Sequence, residues 1–368
     1  MAEALCSYFG KCGGCSFQDV DYKDQLENKR NKLSRALRFE DIPIFSGEEY
    51  FYRERMDMVF HPGGLGFREK RSWQRIVDVE KCVISNKELN THIREIREFF
   101  QDVDCFDPIT RTGTFRFAVI RTPPLDSAIS IVLNKDSDKL AEARNKIGDY
   151  AERTSVRNVL AAYVPHNSGL SISEDYAAVK GSDRLCETYL GRTFRYHVQG
   201  FFQNNYVMAE KLHEFCHDLL KAHPTQKAHL LDLYGGVGTF GIINADLFKD
   251  VTILENYGPA IEDCQINIQE NNLLNVKPIL MDAKHLKILE LPEPLYAILD
   301  PPRSGMNPRT LKRLNEIKPE LIVFISCNVK LLRRELPYLS NYKIKSAALF
   351  DLFPQTPHQE AVIELVRN

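Results

Sequence analysis

The chain has 368 residues, 43% hydrophobic and 27% charged, with a formal net charge of −2, long enough for two globular domains. That balance excludes a surface basic throughout, of the kind that coats DNA, and leaves room for a local basic patch. No apolar run reaches the roughly 18 residues of a membrane span, and the start, MAEALCSYFGKCGGC, lacks the plan of a signal peptide. The expectation is therefore a cytoplasmic protein whose nine cysteines are thiols, nucleophiles or metal ligands rather than disulfides.

CSYFGKCGGC supplies Cys6, Cys12 and Cys15, and VDVEKCVI later adds Cys82. Three clustered thiols and a distant fourth can close a four-ligand site for an iron–sulfur cluster or for zinc. Between Asp21 and Leu37, the spacing of Tyr22, Leu26, Leu33 and Leu37 predicts an amphipathic helix. FYRERMDMVFHPGGLGFREKRS, FRFAVIRT and SAISIVLN read as strands linked by short turns, with helices at 86–101 and 136–152. That is an α+β domain built on an antiparallel sheet. Within it, GFREKRSWQR sets Arg68, Lys70, Arg71 and Arg75 around Trp73, the only tryptophan, a composition suited to RNA phosphates and base stacking.

From Ala228 onward strands and helices alternate. HLLDLY runs into GGVGTFGIINADLF, a glycine turn opening a helix, and VTILE, KPILMD, LYAILD and LIVFIS follow as buried strands. This predicts an open, doubly wound parallel sheet, ending in YKIKSAALFDLF and EAVIELV as an antiparallel pair at one edge. The glycines of LDLYGGVGTFG let backbone approach a ligand, and the helix end offers free N–H groups. The third glycine of the NAD fingerprint is missing. Glu255, about 20 residues further on, stands where an acid binds ribose hydroxyls in this topology. Asp282, ending the third strand, could hold an adenine amine, and the combination fits S-adenosylmethionine better than NAD or a flavin. In LDPPRSGM two prolines make a rigid turn that points Asp300 into the crevice beyond the strand ends.

FISCNVKLLRREL sets Cys327 at the end of a strand and the start of a helix, one strand over from Asp300. A small core residue is the alternative, but Ser326 and Asn328 flank the thiol with polar groups, and a helix N-terminus would favour its thiolate. Thiolate addition to carbon 6 of a pyrimidine turns carbon 5 into a nucleophile able to attack a sulfonium methyl. The adduct then needs a base to remove the carbon 5 proton. In FPQTPHQEAVIEL, Glu360 opens the last strand, with His358 two residues before it, and suits that role.

FFQNN (201–205), DLYGGVGTF, LDPPRSGM, SCN and PQTPHQE, in this order and spacing, resemble the RNA uracil-C5 methyltransferase family. The resemblance implies an α/β, Rossmann-like class I S-adenosylmethionine methyltransferase domain beside an α+β iron–sulfur, RNA-binding domain. It implies Cys327 as nucleophile and Glu360 as base, with S-adenosylmethionine contacts at Gln203, Tyr234, Thr239, Glu255, Asp282 and Asp300. For Cys6, Cys12, Cys15 and Cys82 it favours a [4Fe–4S] cluster over zinc. It also implies that the helix near 21–38 packs on the catalytic domain, so that both domains are discontinuous: 1–16 with 51–196, and 17–50 with 197–368.

Many members carry an N-terminal RNA-binding barrel; with cysteines beginning at residue 6, the expectation is a chain without it. Three positions depart from the family's pattern: Val329 where proline often follows SCN, Gly235 where cysteine often follows the aromatic, and Gln355 where histidine usually follows Phe-Pro. The expected substrate is RNA, either tRNA or 23S rRNA, with no membrane and no obligate protein partner. Cytosine-C5 methylation, amino-nitrogen methylation through the DPPR turn, and an iron–sulfur RNA-binding module without transferase activity are the alternatives.

Overall fold

A computed structural model of the protein describes residues 2–368. The chain forms two compact units, one of Met1–Asp21, Glu48–Glu187 and His197–Tyr206, the other of Tyr22–Gly47, Thr188–Tyr196 and Val207–Asn368. These breaks differ by several residues from the expected ranges. At the last of them, Thr188–Tyr196 packs with the second unit while His197–Tyr206 returns to the first.

The second unit opens with helix α1 (Tyr22–Leu37) and the two-residue strand β1 (Ile44–Phe45). The apolar spacing put Leu26 on the buried face of α1. The buried row is instead Gln25, Lys29, Leu33 and Leu37, a single i, i+4 stripe with two polar members.

The first unit is a seven-stranded sheet with two helices. Its elements are β2 (Arg55–His61), β3 (Gly64–Arg68), β4 (Ile76–Asp78), α2 (Lys87–Phe99), β5 (Phe115–Arg121), β6 (Ala128–Asn134), α3 (Leu140–Arg153), β7 (Asn158–Val164) and β8 (Tyr176–Lys180). The strand order is β4-β3-β2-β5-β6-β7-β8. The expected all-antiparallel sheet is broken once: β6 and β7 pair in parallel, because α3 between them carries the chain back to its starting end. The central strands β5, β6 and β7 are buried throughout and read as continuous apolar runs. One face meets Leu89, Ile93 and Ile96 of α2 and Ile147 of α3 in the main core, while Phe117, Val119, Val132 and Ala162 form a smaller cluster on the other.

A two-stranded ribbon follows, β9 (Arg184–Tyr189) with β10 (Arg192–His197). Its tip is seated in the second unit, where Tyr189 lies 5.0 Å from the ring of His213 and Asn267 accepts from the backbone N–H of Arg195.

The second unit then runs α4 (Tyr206–Lys221), β11 (His229–Leu233), α5 (Thr239–Ile243), β12 (Asp250–Glu255), α6 (Gly258–Glu270), β13 (Val276–Leu280), β14 (Leu295–Leu299), α7 (Pro308–Ile317), β15 (Leu321–Ser326), α8 (Val329–Glu335), β16 (Tyr342–Phe350) and β17 (Glu360–Arg367). The eight-stranded order is β1-β16-β17-β15-β14-β11-β12-β13. Strands β11 to β15 are parallel, and β17 runs antiparallel between β15 and β16. The β16–β17 pair, expected at an edge, lies inside it, because β1 pairs in parallel along β16. From β11 the chain winds outward in both directions, so the β11/β14 boundary is the topological switch point where such sheets bind ligands.

Candidate active site

The turn after β11 faces that switch point. Tyr234 takes a left-handed φ of 65°, a conformation that costs a non-glycine residue about 1–3 kcal/mol and collects at functional turns. Gly235 is needed for room: a Cβ there would stand 2.4 Å from Ile253 Cγ2 and 3.0 Å from Asp232 Oδ2. Asp232, fully buried below the turn, accepts from Gly241 N–H at 2.8 Å, and burial pushes its carboxyl up to about 7.

The residues expected to hold S-adenosylmethionine fall into two groups. Tyr234, Thr239, Glu255, Asp282 and Asp300 all lie in the second unit at the ends of β11, β12, β13 and β14. Glu255 accepts from the N–H of Gly236 at 3.1 Å and from those of Asn256 and Tyr257, both at 2.8 Å, so it ties the glycine turn to its own. Asp282 caps the next turn through Lys284 N–H at 2.9 Å and pairs with the Lys284 ammonium at 2.7 Å, which holds its carboxyl below the usual range. Gln203, by contrast, belongs to the first unit, in the irregular segment leading to α4.

Strand register brings the two reactive side chains together. The antiparallel β15–β17 ladder ends with Ser326 opposite Ala361, so Cys327 and Glu360 flank its last pair, and the Glu360 charge acts on the thiol. Leu299 pairs with Phe324 on the other side of β15, which brings Asp300 to the same end of the sheet. The three groups feel one another. The Cys327 thiol is pushed up to about 11 by burial, with Glu360 and Asp300 adding to the rise and Arg303 opposing it. Glu360 is driven well above the carboxylate range by burial and by Asp300, and burial alone lifts Asp300 to about 7.

The helix start was expected to lower the thiol's proton affinity. The backbone N–H there does favour the thiolate, but burial first, and the two carboxyls after it, outweigh that contribution. The offsetting cation is Arg303, from the DPPR turn. Its guanidinium meets His358 Nδ1 at 2.9 Å, and its carbonyl accepts from the Asn328 side chain at 3.1 Å, which joins that turn to the Cys327 segment.

Sequence reasoning missed what anchors the Glu360 side. The β16–β17 connector, residues 351–359, is held by the polar members of α1. Lys29 and Asp351 pair at 2.7 Å with no exposure of either side chain, and Tyr22 donates to the other Asp351 oxygen at 3.0 Å. The Gln25 amide donates to Gln355 Oε1 at 2.9 Å and accepts from Gln355 N–H at 3.2 Å. Gln355, left-handed at φ 67°, is thus fixed at both ends of its peptide–amide pair. The available signal was a lysine and a glutamine in one i, i+4 row with two leucines.

In the first unit, Cys6, Cys12, Cys15 and Cys82 are free, half-buried and electrostatically coupled: each of the first three thiols is raised chiefly by burial and further by Cys82. Cys15 is pushed up to about 12. Backbone N–H groups already point at sulfur, Gly14 at Cys12 over 3.4 Å and Tyr8 and Phe9 at Cys6. Among the described residues, no group of three or more His, Cys, Asp or Glu side chains could hold a single metal ion as they stand. As a donor set, four thiols in one neighbourhood suit zinc or an iron–sulfur cluster alike.

The family model described as tRNA (uracil-5-)-methyltransferase matches residues 21–290 and 294–368. The chain belongs to this family. A tRNA (uracil(54)-C(5))-methyltransferase of Pyrococcus abyssi is 31% identical over 98% of this chain and 85% of its own length. Its counterpart in Pyrococcus horikoshii is 31% identical over 99% of this chain and 86% of its own length. The solved P. abyssi structure, a complex with S-adenosyl-L-homocysteine, superimposes with a TM-score of 0.81 at 28% identity, covering 96% of this chain and 86% of that one. The Rossmann-like methyltransferase fold follows for the uracil-5-methyltransferase chain described here, and among its described residues no helix is long and apolar enough to cross a membrane.

Proposed function

We propose that the protein is an S-adenosylmethionine-dependent methyltransferase that acts on carbon 5 of a uridine in tRNA through a covalent bond from Cys327 to the base. The observation that supports this reading is the β15–β17 register, whose last pair, Ser326 with Ala361, is flanked by Cys327 and Glu360 at the switch-point end of the sheet. The relatives named above act on uracil 54, and we extend that position to this chain.

The chemistry asks two opposed things of the site. Cys327 Sγ must lose its proton and bond to carbon 6 of the uracil, moving the 5,6 electron pair so that carbon 5 attacks the methyl of the sulfonium and S-adenosylhomocysteine leaves. A thiol near 11 is protonated at neutral pH, and Asp300, near 7, is a neighbour able to exchange that proton. Arg303 favours both the thiolate and the developing negative charge. The adduct then carries one hydrogen and one methyl on carbon 5. Glu360 removes that hydrogen as a proton, the 5,6 double bond re-forms, and the bond to Sγ breaks to release the thiolate. Glu360 must be ionised for this step, a form that Arg303 favours, and burial and Asp300 then give its carboxylate the proton affinity to take the hydrogen. Glu255 would bind the ribose of the methyl donor and Asp282 its adenine, with the glycine turn leaving room for the chain between.

For Cys6, Cys12, Cys15 and Cys82 we propose a [4Fe–4S] cluster, supported by four coupled thiols and by N–H groups aimed at sulfur. It would brace the N-terminal loop and takes no part in methyl transfer. Iron and acid-labile sulfide analysis of protein purified without oxygen checks this; one zinc per chain and no sulfide would replace the cluster by zinc.

The function is tested with tRNA containing 5-fluorouridine, in the presence of S-adenosylmethionine, on a denaturing gel. Fluorine cannot leave as a proton, so the adduct should be trapped as a slow band that Cys327→Ala abolishes. Methylated tRNA produced by Cys327→Ala would refute the covalent route, and trapping on 23S rRNA fragments but not on tRNA would move the substrate.

A further inference from the structure

We infer that the hairpin tip Arg68–Arg75, together with the cysteine loop at Lys11–Gly13, is one cationic RNA-docking surface with Trp73 as its base-stacking platform. The inference rests on the RNA-methyltransferase reading above and adds a contact site to it.

Three observations in the first unit carry it. The loop and the hairpin are a single ladder: Gly13 N–H donates to Arg68 O at 3.0 Å, Lys70 N–H donates to Lys11 O at 2.7 Å, and Cys12 bridges Glu69 in antiparallel fashion between them. A Cβ on Gly13 would stand 3.0 Å from Arg68 O, so glycine permits the close approach. The hairpin closes on itself through Glu69 N–H to Arg75 O at 2.8 Å and Ser72 N–H to Glu69 O at 3.0 Å, with Arg71 in a left-handed turn at φ 66°. Its shape is therefore set before any ligand arrives.

The charge on this ladder is one-sided. Lys11, Arg68, Lys70, Arg71 and Arg75 stand on it against the single carboxylate of Glu69, all five cations exposed. Glu69 is committed to Arg75, whose Nε it meets at 2.5 Å. The other four cations have no ion pair among the described residues. In a chain of net charge −2 this is a local concentration, the pattern that phosphate backbones select.

Trp73 separates RNA from other polyanions. It is the only tryptophan, and on this tip it is 58% exposed, where an indole gains nothing from the core. An exposed ring flanked by cations stacks an unpaired base while the cations hold its phosphates. A merely acidic protein partner would have no use for the ring.

The test is equilibrium binding of an unmodified tRNA transcript to the full-length protein as purified, titrated over salt, with no turnover required. Trp73→Ala should weaken binding about five- to hundredfold and leave the salt dependence unchanged, while Trp73→Phe keeps most of the affinity. The pair Lys70→Gln and Arg71→Gln should make the slope of log K against log salt shallower by about 1.5. Calorimetry with S-adenosylhomocysteine should be unaltered in each, since all these side chains are exposed. Wild-type affinity and slope in both variants would overturn the inference, whatever the fluorouridine experiment shows. Loss of tRNA affinity in a protein that fails to trap fluorouridine would leave the docking surface standing and remove the proposed reaction.

Discussion

Lys29 of α1 and Asp351, the first residue after β16, form an ion pair at 2.7 Å with neither side chain exposed. The Lys29 ammonium also donates to Phe353 O at 3.2 Å, so one buried cation fixes two points of the connector that ends at Glu360. Burial lowers the proton affinity of Lys29, and Asp351 works against that loss. Breaking one half of such a pair leaves an uncompensated charge, which costs about 3–5 kcal/mol. Lys29→Ala should lose that much in urea unfolding, whereas the double replacement Lys29→Met with Asp351→Leu should recover most of it. A double variant as unstable as the single one would show that the pair is not the cause.

Glu360→Gln separates the two halves of the proposed reaction. The amide cannot take the carbon 5 proton, yet nothing in the earlier bond-making step needs a base at that position. Covalent protein–tRNA complex should therefore accumulate on ordinary tRNA, methylated but unreleased, and turnover should fall by about 10²–10⁴-fold. The readout is a denaturing gel with methyl-labelled donor. Unlabelled complex, or none, would place Glu360 in an earlier step.

His213 on α4 predicts an acid limb in stability. It is fully buried against Tyr189 and Phe240, its Nδ1 has no partner, and burial holds its proton affinity down to about 3. The unfolded chain takes up a proton near 6.5 and the folded one does not, so the stability present above pH 6.5 is lost as pH falls toward 3. The gap is worth ~5 kcal/mol at most. His213→Leu should flatten the unfolding free energy between pH 6 and 4, measured by urea titration at each pH. An unchanged slope there would assign the acid limb to other groups.

How far these features could be read from sequence depends on what each requires. The parallel sheet follows from apolar runs at regular intervals, and the β11 and β12 turns follow from glycine and acid spacing, because each is encoded in a contiguous stretch. Cys327 and Glu360 belong to separate segments, and only the register of β17 beside β15 makes them flank one pair, Ser326 with Ala361. The hold of α1 on the β16–β17 connector was illegible for a related reason. Lys29 and Gln25 look like the solvent face of an amphipathic helix until Asp351 and Gln355, more than 300 positions away, supply their partners. The net rise at Cys327 was not legible because a helix start is visible in sequence, while the burial of the thiol and the two nearby carboxyls are not.

Gly235 lends itself to a steric prediction with a built-in control. A methyl at this position would stand 2.4 Å from Ile253 Cγ2, whose side chain is fully buried and has no free space to swing into. Gly235→Ala should destabilise the second unit by about 1–3 kcal/mol through overpacking, and weaken S-adenosylhomocysteine binding by shifting the turn that Glu255 holds at Gly236. Ile253→Ala removes the obstructing methyl and on its own costs about 2–5 kcal/mol by leaving a cavity. Combined, the two substitutions should fit each other, with the double variant about 0.5–3 kcal/mol more stable than the two single losses imply. Calorimetry should show the ligand affinity partly restored in the same double variant. Strict additivity in both readouts would mean that glycine is needed at 235 for contact with the donor itself and not for room beside Ile253.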